Sequence, residues 1–523
     1  MSSATLGRRR FLSFAAAGAG VAGIGALGVT GCGSSGGPAS TAGDRYDYIK
    51  PHDPEIAAAE AARAATGVTV ARALAAGPAT VDLGGRLVNT WTYGTGAVAP
   101  EIRLSAGDTL SAAVTNAAPA ATSIHWHGIR IRNDMDGVPP VTQEAIAPGT
   151  TFEYRFLAPD PGTYWYHSHS GLQADRGLFG ALIVEDPADA TGADIDVVLV
   201  LDDWVDGTGT TPDAVMAALN PNLHGGHAGH DAPAPAPVDA DGATIAASIT
   251  GAGHGDSRAL GGMTQHIAYP LHLINGRPPN DPAVISAAPG TRLRLRIINA
   301  GAETPYRFAV AGHRLTVVAV DGFDVVPAEA DAILIGMAQR YDVLVTVASG
   351  AWPVVAAVEG RAGYASTVLR SSDAAPLADP DVGGVIAELG GQLLLESELR
   401  PAARTVLARR TPDREYSVDL LQAGNRYVWA MAGADAGKLV MKQGERVRVT
   451  MHNRSTMWHP MHTHGHTFAI PAYGGLRRDT VNVLPGTSLA VEFDADNPGE
   501  WMFHCHNAYH FEAGMTANLM YIR

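Results

Sequence analysis

An all-β fold built from three related domains is what this chain of 523 residues predicts, on three observations. The first is a repeated strand. Gly107 to Asn116, Gly290 to Asn299 and Gly444 to Asn453 each open on glycine, alternate apolar residues and close on asparagine nine positions later. Period-two alternation puts one face of a strand into a core and the other towards solvent, and three copies read as three domains. The second is register. Pro148-Gly149-Thr150 lies 42 residues past Gly107, Pro485-Gly486-Thr487 lies 42 past Gly444, and Pro161-Gly162 and Pro498-Gly499 follow at a further offset of 13. The third is composition: 60 Gly and 33 Pro suit many short strands joined by turns, and the length exceeds what one core serves.

The chain divides accordingly. Residues 1–31 read as a twin-arginine signal peptide, with Arg8-Arg9-Arg10-Phe11-Leu12 ahead of an uncharged Ala/Gly-rich stretch. Val29-Thr30-Gly31-Cys32 resembles a bacterial lipobox, in which Cys32 becomes an acylated N-terminus; an ordinary cleaved signal with an incidental cysteine is the alternative. The expectation is a cell-envelope lipoprotein, exported by the twin-arginine route and held on the outer side of the cytoplasmic membrane. Residues 32–74 form an anchor linker with one short helix near Pro54 to Thr66, and 75–190 form domain 1. Domain 2 spans 191–370 and carries a mobile His/Gly-rich insertion at 205–265; 371–412 is a connector, and 413–523 is domain 3. A formal charge of −15 excludes a nucleic-acid partner and tolerates cationic donors.

Two cysteines are present, Cys32 and Cys505. With the first assigned to the lipobox, Cys505 has no partner for a disulfide and needs another task. It stands inside one of four His-x-His pairs: His125-Trp-His127, His167-Ser-His169, His462-Thr-His464 and His504-Cys-His506. Alternate strand residues share a face, so each pair offers two imidazoles side by side, and eight can hold three metal ions. The inter-domain register places His125 on His462, His127 on His464, His167 on His504 and His169 on His506, whereas the middle copy has Phe308 and Val310. Imidazole alone does not choose the metal. Cys505, His510 and Met515, with His459 from the preceding strand, do: one thiolate, two imidazoles and a thioether form a blue-copper electron-transfer set. Because Cys505 sits between His504 and His506, that site is covalently wired to the histidine cluster.

His125-Trp-His-Gly128, Trp165-Tyr-His-Ser-His169, His459-Pro-Met-His-Thr-His-Gly-His466 and His504-Cys-His506 with His510 and Met515 resemble the four copper signatures of three-domain multicopper oxidases, over roughly residues 75–523. The resemblance implies three cupredoxin-like Greek-key β-sandwich domains. It implies that His125 and His462 bind a type 2 copper, that His127, His167 and His506 hold one type 3 copper, and that His169, His464 and His504 hold the other. With the blue type 1 site this makes four copper ions. At positions matching His459, Cys505, His510 and Met515, domain 1 has Thr122, Ser168, Gln173 and Leu178, so no blue site is expected there. The implied activity is oxidation of phenols, aromatic amines, Cu(I) or Fe(II) coupled to reduction of dioxygen, with a role in copper tolerance. Copper nitrite reductase and a non-catalytic copper-binding envelope protein are the alternatives.

Dioxygen reduction consumes protons, so acids beside the cluster are expected. Asp136 matches an acid that the family places there, and Glu512 is a second candidate; some bacterial relatives have Glu directly after the second blue-copper histidine, where this chain has Phe511. The insertion carries His224, His227, His230, His254 and His266 with Met263, read first as a loop without catalytic consequence and second as a copper-ion collector. Met431, Met441, Met457 and Met461 are read first as core.

Overall fold

The computed structural model describes residues 46–189, 191–221, 240–372, 383–424 and 427–523. The leader, Cys32 and His224, His227 and His230 lie outside these residues. Strands build two sheets in each of three successive parts of the chain. In the first, Arg86–Tyr93, Thr69–Leu83, Thr109–Asn116 and Thr151–Leu157 lie side by side; Ile102–Ser105, Phe179–Glu185, Gly162–His167 and His125–His127 form the second sheet. The second part has two six-stranded sheets, and the third a six-stranded and a five-stranded sheet. Each has its own apolar interior, for example Leu110, Ala112 and Val114 in the first, all 0 % exposed. This is a three-domain cupredoxin-like architecture.

The repeated strand has the same place in all three domains. Thr109–Asn116, Arg292–Asn299 and Arg446–Asn453 each pair in parallel with the domain's opening strand, Thr69–Leu83, Ile195–Trp204 or Arg414–Gln422. On the other side each pairs antiparallel, with Thr151–Leu157, Arg340–Thr346 or Ser488–Asp494. Its closing asparagine is buried and does the same work each time. Asn116, Asn299 and Asn453 accept from the backbone N–H two residues on at 2.9–3.0 Å. Their side-chain amides donate to two carbonyls: Ala120 and Ile146, Thr304 and Ile335, or Met457 and Val483. A buried amide satisfied in this way fixes the loop that follows it. In domains 1 and 3 that loop leads into His125–His127 and His459–Thr463.

Two segments differ from expectation. The described parts of 205–265 are ordered, with helices Pro212–Leu219 and Ala240–Thr250. Val215 and Ala246, both 0 % exposed, join the interior cluster of domain 3. Alanine-rich sequence carries little hydrophobic periodicity, yet alanine is the strongest helix former, so composition hid these helices. The connector also contributes structure: Leu393–Leu394 pairs in parallel with Ala332–Ile335, and Leu394 and Leu399 are buried in domain 2. The linker helix is Pro54–Ala61, and Ile49 and Ile56 pack into the domain 3 interior. Among the described residues no helix is long and apolar enough to cross a membrane.

A buried ionic cluster ties the domains together. Arg340 donates to Asp479 at 2.8 and 2.5 Å and to the Thr163 carbonyl at 3.0 Å, so a domain 2 side chain holds residues of domains 3 and 1. Asp321 lies 3.5 Å from Arg340 and accepts from Arg478 at 2.8 and 3.1 Å, and Arg478 also reaches Glu396 at 3.2 Å. Arg340, Arg478, Asp321 and Asp479 are each 0 % exposed.

Candidate metal centre

The histidine pairs meet through strand pairing and then through the domain 1–domain 3 interface. Within domain 1, His125 is the cross-strand partner of His167; within domain 3, His462 is the partner of His504. Directly opposed residues on neighbouring strands lie close on one face, so each domain presents four imidazoles together. Across the interface the His125 and His464 rings stack at 3.8 Å, and so do those of His127 and His462. The His127–His506 and His169–His504 rings are 4.9 and 5.3 Å apart. His169, His464 and His504 bring ligand nitrogens within 4.8 Å of one another, as do His125, His462 and His464.

Each ring's hydrogen bonds show which nitrogen is free. The Nδ1 atoms of His125, His167, His462 and His504 donate to the backbone carbonyls of Asp136, Ser168, Asp479 and Cys505 at 2.9–3.0 Å. His464 Nδ1 donates to Asp136 Oδ2 at 2.9 Å, and His127 Nε2 to Asp479 Oδ1 at 3.2 Å. A ring that donates outward keeps its lone pair on the inner nitrogen, the arrangement of metal-bound histidine. Accordingly His125 Nε2, His127 Nδ1, His167 Nε2, His462 Nε2 and His506 Nε2 are buried without a hydrogen-bond partner. Such an atom costs about 1–3 kcal/mol if left unpaired, and bound cations remove that cost. Burial, reinforced by neighbouring imidazoles, holds His127, His169, His464 and His506 well below the usual imidazole range. The rings are therefore neutral, the ligand form.

The sulfur site lies on the same strand end. Cys505 Sγ is 3.7 Å from both His459 Nδ1 and His510 Nδ1, and those nitrogens are 3.2 Å apart. The Asn507 side chain accepts from the N–H groups of Tyr509 and His510 at 3.1 Å, capping the short helix Ala508–Glu512 that carries His510. Met515 is fully buried, and its carbonyl accepts from Cys505 N–H at 3.1 Å. Burial pushes the Cys505 thiol up, so a bound cation is what makes the thiolate.

The matching place in domain 1 is filled by hydrogen bonds. Gln173 Oε1 accepts from Thr122 and Ser168 hydroxyls at 2.7 and 2.9 Å, and Leu178 is fully buried. In domain 2, Phe308 and Val310 are core residues at 0 % exposure. The structure places Asp136 against the cluster, bonded to His464 and 3.2 Å from His125 Nδ1. Glu512 stands apart from it: no hydrogen bond joins it to a cluster histidine among the described residues, and burial, with Asp213 nearby, pushes its carboxyl up to about 7. Its neighbour Phe511 lies against the rings of His169 and His504, at 5.0 and 4.8 Å. Met431, Met441, Met457 and Met461 are buried in the domain 3 core. Sequence reasoning missed Asp479, which supports one ring from each domain. Its only local signal is the charged run Arg477-Arg478-Asp479 between Leu476 and Val481, where a buried strand demands ion-pair partners.

Two cupredoxin-type domains facing each other across eight imidazoles, one with a cysteine–histidine site, define a copper redox protein. Sequence profiles described as multicopper oxidase match residues 76–189, 254–374 and 409–522. The chain belongs to the multicopper oxidase family, enzymes that couple oxidation of a donor to reduction of dioxygen. It is 42% identical over 474 residues to multicopper oxidase MmcO of Mycobacterium tuberculosis, covering 89% of this chain and 90% of that protein. It is 28% identical to copper resistance protein A of Pseudomonas syringae pv. tomato, covering 84% and 91%. Among solved structures, a laccase from Botrytis aclada superposes with a TM-score of 0.68 at 28% identity, over 87% of this chain and 88% of that one. Fet3p, a multicopper oxidase that functions in iron import, superposes with the same score at 23% identity, over 87% and 90%.

Proposed function

We propose that the chain is a four-copper oxidase of a bacterial cell envelope whose physiological donor is a metal ion, with phenols as accessory donors. The observation that carries the copper assignment is the set of partnerless inner nitrogens on outward-anchored rings, beside a buried cysteine and two converging imidazoles. On this reading His459, Cys505, His510 and Met515 hold the type 1 copper, and His125 and His462 the type 2 copper. His127, His167 and His506 hold one type 3 copper, and His169, His464 and His504 the other. Copper in these positions supplies single-electron acceptance at the sulfur and dioxygen reduction among the imidazoles.

The protein's own part is positioning, insulation and proton handling. Cys505 is flanked in the chain by His504 and His506, and the His504 ring donates back to the Cys505 carbonyl, giving a second bonded route from sulfur to imidazole. Asp136 accepts from His464 Nδ1 and is placed to hold a proton at its carboxylate beside the cluster. Asp479 orients His127 and His462. Phe511 covers His169 and His504 with an apolar ring and shields that side from water. Glu512 is retained as an outlying proton carrier whose raised carboxyl suits exchange near neutral pH.

The relatives support the metal-ion donor: one is described as a copper resistance protein and another as an iron transport multicopper oxidase. The twin-arginine pattern and Cys32 support export and lipid anchoring. The test is titration of metal-free mature protein with copper while oxygen uptake is recorded with cuprous, ferrous and phenolic donors. Four coppers per chain, a blue absorption and oxygen uptake are expected; saturation at one copper, or no oxygen uptake with any donor, overturns the reading. For the location, Cys32→Ala should move the protein from the membrane to the soluble fraction, and an unchanged distribution contradicts the anchor.

A further inference from the structure

His510 does not face solvent. It is fully buried, with the Trp429 ring 3.9 Å away and the rings of Tyr427 and His266 each 5.8 Å away. His266 comes from domain 2 and is anchored with care. Its backbone N–H and its Nδ1 both donate to Glu303 Oε1 at 3.1 Å. Glu303 is itself fully buried and also accepts from Ile267 N–H at 2.9 Å and from the Asn507 side chain at 3.2 Å. Asn507 is the residue that caps the helix bearing His510, so one carboxylate fixes His266 and that helix together. With Nδ1 committed, the lone pair of His266 is on Nε2.

Exposed His254 stands beside it, ring centroids 5.1 Å apart at 82°. The His266 imidazole thus has one nitrogen tied to a protein acceptor and the other turned to the His254 side of the site, the pattern of a histidine prepared to bind a metal.

Resting on the reading of this chain as a metal-ion oxidase, we propose that His254 and His266 form a two-imidazole docking site for a cuprous donor ion, and that His266 is the ring through which its electron reaches His510. The donor set is selective. Two imidazole nitrogens can complete the low coordination that Cu(I) accepts, whereas Fe(II) needs more ligands, and the one carboxylate here, Glu303, already accepts four hydrogen bonds. A phenol would need an apolar approach to the blue-site histidine, which three rings cover. Each donor ion gives up one electron and departs as Cu(II); four such events, one dioxygen and four protons yield two waters. The protein's net charge of −15 favours arrival of the cation.

The test uses fully copper-loaded enzyme and its His254→Ala, His266→Ala and His254→Met variants. Specificity is read as the ratio of kcat/KM for Cu(I) to that for a phenolic donor, by oxygen uptake. The ratio should fall at least about tenfold in both alanine variants and recover in His254→Met, which restores a soft ligand. Silver(I), a redox-inert stand-in, should bind once per chain with resident copper unchanged, and His254→Ala should abolish that binding. An unchanged ratio with unchanged silver binding, or no silver binding by the unaltered enzyme, overturns the proposal. Should His266→Ala fail to load its blue copper, His254→Ala still decides, because its ring is exposed. Silver bound at His254 with no oxygen uptake from any donor would sustain the site and sink the oxidase reading instead.

Discussion

Asp479→Asn is the substitution that best exposes how the cluster is supported. The carboxylate is 0 % exposed and takes two hydrogen bonds from Arg340, one from the Thr480 hydroxyl at 2.8 Å and one from His127 Nε2. Burial alone would raise its pKa, but the Arg340 charge and hydrogen bonds, with His462, override burial and hold the carboxyl below the usual range. It therefore remains ionised through neutral and mildly acid pH, and its contribution to stability fades only in acid below the ordinary carboxylate range. Asparagine preserves shape but removes the charge, leaving the Arg340 guanidinium buried with Asp321 at 3.5 Å as its remaining anion. Removing one partner of a buried pair costs about 3–5 kcal/mol, whereas removing Asp281 from its exposed pair with Arg277 should cost under about 1 kcal/mol. Urea unfolding of metal-free protein measures the first effect. Copper retention against a chelator measures a second, a loss of about 10–100-fold in affinity when a support for ligand rings is removed. A destabilisation below about 1 kcal/mol with unchanged copper retention would refute the reasoning.

Three further outcomes follow from the same geometry. Asp136→Asn should lower turnover about 100-fold or more through lost proton handling while leaving the blue absorption intact, as single-turnover and steady-state oxygen kinetics would show; retained turnover contradicts the role. The metal-free protein should lose stability as pH falls below about 6.5, because the unfolded chain then takes up protons that the buried rings of His127, His167, His169, His464, His504 and His506 refuse. Urea midpoints at pH 7.5 and 5.5 test this, and equal midpoints would count against neutral rings. Gln173→Ala should cost about 1–3 kcal/mol by leaving the buried Thr122 and Ser168 hydroxyls short of an acceptor, again by urea unfolding.

The converging histidine pairs were legible in the sequence because a strand's period of two turns His-x-His into two rings on one face, and because domains 1 and 3 keep one register without a gap. The closing asparagine of each repeat was legible as punctuation; its task, holding the loop ahead of the histidine strand, rests on contacts with carbonyls up to 36 residues away. Asp479 and Arg340 escaped notice because their pairing spans 139 residues, and no local pattern reports a bond between domains. His254 and His266 looked like two members of a His-rich loop. What separates them is Glu303, which accepts from the His266 ring and also from Asn507, the cap of the helix bearing His510, and the helices of 205–265, whose alanines carry no clear periodicity.

On the proposed reading, one sulfur and its two neighbouring rings join a one-electron site to a dioxygen site. Cys505→Ser tests it most directly, by copper content, absorption and oxygen uptake on one preparation. Loss of the blue absorption and of turnover is expected, with the copper held by the eight histidines retained. A Cys505→Ser enzyme that still consumed oxygen at the rate of the unaltered protein would contradict it.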